Sequence, residues 1–272
     1  MHQKKPNIVF LIIGFNNINE VNNYITQIDA LNNTKYDIDI VITDNIGTFK
    51  EHEIINSFYR VTLLNPKNNL GYLNGCSYGL DFYRKSYNKN PSWVCVSNTD
   101  LTLDKNILDI LDTNIENIGQ VSSLIKTQTG TAQNPHLKNR PSQAFLLKQI
   151  LIHSFHWIGG LYIYLSHIKD KLSIKKDPKE KKEYLIYTSH GSFFFLSKAF
   201  FDKGGIIHDA PFLYSEELYI GEQLYRHNLK SVCNTKYTII HHNHSTSKLV
   251  SLYKKSKFML TSNKLIYEKF YK

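Results

Sequence analysis

Ile8 to Phe15 is a continuous apolar, β-branched run, the pattern of a strand covered on both faces rather than one. A chain that opens this way has to supply helices for both sides of that strand. The residues after it do so in order. Asn19 to Leu31 has helical spacing through Val21, Tyr24, Ile25, Ile28 and Leu31, and Ile38 to Thr43 predicts a second buried strand. Glu51 to Phe58 predicts a short helix, Arg60 to Leu64 a third strand, Leu73 to Tyr83 a helix and Trp93 to Ser97 a fourth strand. Strands and helices alternating through short connections predict an α/β fold with a doubly wound, mostly parallel sheet. Ligands of such sheets gather at the carboxyl ends of the strands. Asn16, Asp44, Asn69 and Asp100 all fall there.

Past Asp100 the pattern loosens. Asn106 to Ile115 predicts a helix, Gln120 to Ile125 a strand, and Gln128 to Pro141 a polar loop. Ser142 to Ile168 is apolar and aromatic, and Lys169 to Glu183 is a dense charge run containing Pro178. Tyr184 to Leu196 reads as strand, Glu216 to His227 as helix, Ser231 to Ile240 as strand, and the tail from Leu249 as helix. The formal net charge of +10 favours anionic partners: nucleic acid, acidic lipid head groups or phosphorylated small molecules. Cys76, Cys95 and Cys233 are widely spaced and form no CxxC pair, which argues against a zinc ribbon or a disulfide framework and for a reducing cytoplasm. Lys4 and Lys5 before Ile8 to Phe15 imitate a signal peptide, but polar asparagines come next with no small-residue cleavage site. No uninterrupted run reaches the roughly 18 apolar residues of a membrane-spanning helix.

Several residues could carry chemistry. Asp100, closing Ser97-Asn98-Thr99-Asp100, can bind Mg²⁺ or Mn²⁺, or simply cap the segment Leu101-Thr102-Leu103. Glu216 and Glu217 are adjacent on a helix, so they point about 100° apart; one can face a cleft while the other orients a neighbour. Desolvation beside Phe212-Leu213-Tyr214 would raise a carboxylate pKa, as a general base requires. His241, His242 and His244 come after a strand and could supply an imidazole to a metal shared with Asp100. Asn68 to Tyr72 leads into a helix with Gly75 and Gly79 four residues apart, a spacing that permits close approach to a sheet or ligand. GxGxxG, GxxxxGK[ST] and GxSxG motifs are all missing from the sequence.

In order along the chain, these pieces resemble the inverting family 2 glycosyltransferases, particularly those building bacterial capsular and lipopolysaccharide chains. Phe15-Asn16 is similar to that family's first-strand YN, and Ile40 to Asn45 to its VVDN strand end. Asn69-Leu70-Gly71-Tyr72 through Gly75 resembles NLGYAGG, and Ser97 to Asp100 stands where the family has LNPD or DxD. His190 to Lys198 resembles GAFFLIRR, Gly204-Gly205 the glycines of GGFDE, Phe212 to Glu217 FLYxED, and His241 to Ser247 HxxHSS. The resemblance implies a GT-A fold with a C-terminal acceptor-side helical region. Residues 1–125 would be the nucleotide-sugar half, 126–248 the acceptor-binding and catalytic half, and 249–272 a helical tail.

It also implies roles. Phe15, Asn16, Asp44, Asn69, Gly71, Gly75, Asn98 and Asp100 would line the nucleotide-sugar site. Asp100, with His241 or His244, would hold Mn²⁺ or Mg²⁺ against the diphosphate. Glu217 would be the catalytic base, and Glu216 would position the acceptor. The reaction would move a hexosyl or deoxyhexosyl unit, with inversion, from a nucleoside diphosphate to a glycan or lipid-linked oligosaccharide. Asn98 replaces the first acid of DxD, which leaves one carboxylate for a metal and keeps a catalytically dead member open. Apart from the resemblance, Ser142 to Ile168 with the basic flank Lys169 to Lys182 could lie on an anionic membrane surface, at the cytoplasmic face, or form an acceptor-side helix packed on the core. Two readings from other classes stand beside this one: a nucleotidyltransferase on the same sheet, and a basic nucleic-acid-binding protein. The aromatics lie in core-like runs and no nucleic-acid module is recognisable, so nucleic acid is not an expected partner.

Overall fold

The structure, a computed structural model, describes residues 5–172, 182–242 and 250–272. The order is β1 (Asn7–Gly14), α1 (Ile18–Asp29), β2 (Asp37–Asp44), β3 (Arg60–Leu64), α2 (Tyr72–Tyr87), β4 (Trp93–Ser97), β5 (Leu101–Thr102) and β6 (Ile118–Thr127). After these come α3 (Gln143–Ser154), α4 (His156–Leu172), β7 (Glu183–Ile186), β8 (Phe193–Ser197), α5 (Lys198–Asp202), α6 (Glu216–Arg226), β9 (Lys230–His241) and α7 (Leu252–Phe270). One sheet runs β3, β2, β1, β4, β8, β6, β9, β5, and β7 pairs with β9. β3, β2, β1 and β4 are mutually parallel, as are β6 and β9. β8 lies antiparallel between β4 and β6, so the sheet continues through both sequence halves.

The unbroken apolar run of β1 has the cause its pattern predicts. Ile8, Phe10 and Ile12 pack in one cluster with Val21, Tyr24, Ile25 and Ile28 of α1. Val9 and Leu11 face the other way, with Leu73, Cys76, Leu80 and Tyr83 of α2. The three cysteines are free and buried.

The structure corrects three stretches. Glu51 to Phe58 yields only a 3-10 turn at Glu51–Glu53, and Asn106 to Ile115 only the 3-10 helix Ile107–Leu111. Side chains take the backbone groups there instead: Asn22 Oδ1 accepts from Ile55 N, and Asp104 Oδ1 from Asn106 N. Tyr184 to Leu196 is two strands on opposite sides of β6 and β9, divided by the loop that carries His190.

Behind the sheet's far half, α7 packs on both α3 and α4. A Cβ on Gly159 would lie 2.1 Å from Ser256 Oγ and 2.6 Å from His153 Nδ1, so only glycine lets α4 approach α7 this closely. Glu222 on α6 is fully buried. Arg140 grips it twice, through Nε (3.0 Å) and Nη2 (2.8 Å), and the hydroxyls of Tyr187 (2.6 Å) and Tyr271 also donate to it. This network ties α6 to the loop before α3, to the chain after β7 and to the end of α7.

Candidate functional site

The two-residue strand β5 pairs with the end of β9, Leu101 opposite His241, and the main chain of His242 donates to the Asp100 carbonyl at 2.9 Å. This pairing sets the Asp100 carboxylate beside the His241 ring, with Oδ1 3.3 Å from Nε2, both residues being buried. His241 Nδ1 lies 2.8 Å from the Gln133 amide oxygen. With Nδ1–H donated there, an unprotonated Nε2, which makes no hydrogen bond, would turn a lone pair toward the carboxylate, whereas a protonated one would form an ion pair with it. A buried lone pair facing a carboxylate oxygen is unfavourable unless a cation lies between them. An oxygen and an imidazole nitrogen, the latter oriented by a partner behind it, are donors of the kind that suit a divalent cation. No group of three or more potential ligands exists among the described residues, so this pair is their whole contribution there. The expected His244 lies outside the described residues. His242 is engaged elsewhere, between Thr102 Oγ1 (2.7 Å) and the Gln128 side chain (2.5 Å).

His190 bridges to the other carboxylates. Its ring centroid is 5.6 Å from that of His241 and 5.6 Å from that of His136. Burial pushes its pKa down to about 4, against the pull of Glu217 and Asp100, and His136 and His241 lower it further. His190 Nδ1 accepts from Ser192 N at 3.2 Å, and the residue's own backbone N–H donates to Asn134 Oδ1 at 2.6 Å.

One residue on, Gly191 N–H donates to Glu217 Oε1 at 3.1 Å. Burial would raise the Glu217 pKa, but His136, His190 and the backbone amides of Glu217 and Gly191 together hold it below the ordinary carboxylate range. Burial and the Glu217 charge push Glu216 up to about 8. The desolvation shift expected for a base thus falls on Glu216, which keeps its proton at neutral pH, while Glu217 is ionised and able to accept one. Both carboxylates start α6, after two consecutive non-glycine residues in left-handed backbone, Tyr214 (φ 65°) and Ser215 (φ 64°). Each costs on the order of 1 kcal/mol or more. α7 holds that turn in place: Ser262 Oγ donates to Leu213 O at 2.7 Å, Ser215 Oγ bonds Asn263 Oδ1 at 3.1 Å, and Phe258 stacks on Phe212.

The Asn69–Tyr72 turn meets this same segment. Gly71 has φ 80°, and a Cβ there would sit 2.4 Å from the Phe212 carbonyl. Asn45 clamps the turn: Leu70 N–H donates to its Oδ1 (3.2 Å), and its Nδ2 donates to Gly71 O (2.9 Å). A Cβ on Gly75 would meet Ile13 Cδ1 at 2.8 Å and Asn45 Oδ1 at 3.4 Å. Gly71→Ala is accordingly expected to force the turn off Phe212 and to cost about 2 kcal/mol or more of stability, from the left-handed backbone and the clash together. A thermal melt checks it; an unchanged midpoint would mean that the turn is not held by this contact.

The other expected site residues divide in two. Phe15, Asn16 and Asn69 are exposed, and Asn98 is part-buried with its N–H donated to Ser192 O at 2.8 Å. Asn69 Oδ1 accepts from Gly71 N, shaping the turn. Asp44 is fully buried, and its carboxylate accepts from Phe49 N at 2.7 Å and Ile46 N at 3.2 Å. It organises the loop after β2. Sequence reasoning overlooks Asn45, Gln133, His136 and His190. Asn45 and His190 stand inside the family-like motifs, so their position is readable; Gln133 and His136 lie in an unpatterned polar loop that offers no signal.

No protein-family model and no curated protein matches the chain. Among solved structures 347 chains match, so the architecture is a widely used one. A crystal structure of GalNAc-T7 with UDP, GalNAc and Mn²⁺ is similar with a TM-score of 0.58 and 12% sequence identity, over 89% of this chain and 44% of that one. The chain spans less than half the length of that protein. At such identity the likeness is one of fold. The nine strands, largely parallel, with helices on both faces are the GT-A fold of that glycosyltransferase.

Proposed function

We propose that this chain is a glycosyltransferase using a nucleoside-diphosphate sugar and a divalent metal. One observation carries the reading: the His190 ring lies against that of His241, the partner of Asp100, and the next residue, Gly191, donates to Glu217, so a pair able to bind a cation and a proton acceptor come together. Asp100 and His241 would hold Mn²⁺ or Mg²⁺. That ion, when bound, neutralises the charge that gathers on the departing diphosphate. Asn45 and Gly71 shape the turn that, with the loop after β2, would bound the nucleotide. Glu217 takes the proton of the acceptor hydroxyl, whose oxygen bonds to the anomeric carbon as the bond from that carbon to the diphosphate oxygen breaks. The nucleoside diphosphate leaves with the electron pair. Protonated Glu216 donates toward the acceptor and holds its orientation. One base and no second carboxylate placed as nucleophile favour a single displacement with inversion. A glycan or lipid-linked acceptor in surface-polysaccharide synthesis, and work at the cytoplasmic face, come from the sequence resemblance.

A thermal-shift screen of nucleoside diphosphates with and without Mn²⁺ tests this. A ligand at 100 times its Kd stabilises by about 2.7 kcal/mol. One base is expected to stand out with Mn²⁺ present, and His241→Ala is expected to erase the Mn²⁺ increment while leaving the bare melt within a few degrees. If no nucleoside diphosphate shifts the melt under either condition, the reading is wrong. Release of pyrophosphate in place of nucleoside diphosphate would turn it into a nucleotidyltransferase.

A further inference from the structure

The α3–α4 hairpin is the largest feature that the site leaves unused. From Gln149 to Ile168 the chain carries no Asp, Glu, Lys or Arg. The structure divides this run at Phe155 into two helices, both lying on α7. Their inner side is closed by small or polar groups: Gly159 against Ser256, and Gly160 against Leu252. Their outer side is apolar as well. Leu151, Phe155, Trp157, Ile158, Leu161 and Leu165 each expose more than half their surface, Trp157 80% of it. Positions 157, 158, 161 and 165 form one face of α4. A helix apolar all round is one that something covers on every side, and a patch of this size marks a contact surface.

The charges that follow this run in the sequence, and those on the described surface beside it, point to what covers the face. The run leads at once into Lys169 to Lys182, seven lysines against Asp170, Asp177 and Glu180. On the described surface, exposed Lys148 lies on α3, and exposed Lys254 comes after Tyr253, whose ring is 5.2 Å from that of Trp157. Apolar and aromatic side chains with Lys148 and Lys254 beside them, in a sequence that continues into a lysine-rich run, fit the interface of an anionic bilayer, where ring and aliphatic groups enter the acyl boundary and ammonium groups meet phosphate. No helix among the described residues is long and apolar enough to cross a membrane.

We propose that the outer face of α3 and α4 docks in the plane of an anionic phospholipid surface. The docking goes beyond the reaction assigned above and does not depend on it. Its consequence does rest on that reading. α7 carries the hairpin on one stretch and clamps the turn before Glu216–Glu217 on another, so the acceptor side of the site would face the lipid, and the acceptor would be lipid-borne.

The test is co-sedimentation and Trp fluorescence of the full chain with vesicles of phosphatidylcholine alone and of phosphatidylcholine with phosphatidylglycerol. Binding is expected only with phosphatidylglycerol, weakening as salt rises. Trp157 emission should shift to the blue and be quenched by brominated lipid, a change absent from Trp157→Phe, whose remaining tryptophan is Trp93. Leu161→Glu with Leu165→Glu should weaken partitioning about tenfold or more per exchange while the melting curve and the nucleoside-diphosphate shift stay put. Three results overturn the proposal: no binding to either vesicle, equal binding to both, or binding that the double exchange leaves intact. A concentration-dependent dimer that the double exchange splits, with no vesicle binding, would give the face to a second copy instead. The nucleotide shift is read separately, so failure here and failure of the glycosyl-transfer reading are told apart.

Discussion

Glu217→Gln is expected to fold, to keep its response to nucleoside diphosphate, and to lose transfer by about 10²–10⁴-fold, the share a positioned base supplies. The amide preserves the shape and can still accept from Gly191 N–H through its oxygen, so the Gly191 contact at 3.1 Å survives. What disappears is the capacity to hold a proton. The loss should fall on kcat, with donor KM nearly unchanged, because the exchange removes a proton acceptor and keeps the shape of the side chain. Glu216→Gln should do far less, since Glu216 already carries a proton near neutral pH, its pKa being pushed up to about 8. If the two exchanges were equally damaging, or if Glu217→Gln turned over normally, the base would have to be sought elsewhere, with Asp100 next in line.

The second large effect is on stability. Arg140→Ala leaves the carboxylate of fully buried Glu222 with two tyrosine hydroxyls and no cation. Removing one partner of a buried pair typically costs about 3–5 kcal/mol. Arg140 itself is one-third exposed, which moves the expectation to the lower end. A melting point lower by on the order of 10 °C is expected for a chain of this size. Replacing Arg140 and Glu222 together by apolar residues of similar volume should cost less than Arg140→Ala alone, because no charge is stranded. Calorimetry of the two variants decides it; a double variant worse than the single would mean that the ion pair is worth more than its desolvation.

Much of the fold is legible in the sequence because its causes are local and periodic. β1 is apolar throughout since α1 and α2 cover its two faces, and abrupt polarity at Asp44, Asn98 and His241 marks the ends of β2, β4 and β9. The topology beyond β4 is not legible. Nothing in the composition of Tyr184 to Leu196 says that its two ends belong to strands separated by β6 and β9, because pairing partners leave no trace in a strand's own pattern. The site is legible in the same uneven way. Asp100, Glu216, Glu217 and His241 announce themselves as ionisable groups at element ends. Asp44 announces itself too, and its carboxylate also braces a loop through the Phe49 and Ile46 amides, contacts that no single-residue pattern contains. His190 stands in a family-like motif, but nothing in its own stretch of sequence says that its ring meets that of His241 while Gly191 beside it donates to Glu217.

The placement of β8 has a consequence for synthesis. Trp93 of β4 pairs with Ser197 of β8, 197 − 93 = 104 residues later. At roughly 5–20 residues per second, the flank of β4 emerges from the ribosome and waits about 5–20 s for its neighbour. Through that interval the nascent chain displays an unsatisfied row of amides and carbonyls beside Val94, Cys95 and Val96, an invitation to pair with another copy. Slow translation between those codons would lengthen the exposure, and a chaperone that shields nascent strands should raise the soluble yield of this protein more than that of one whose strands pair in order.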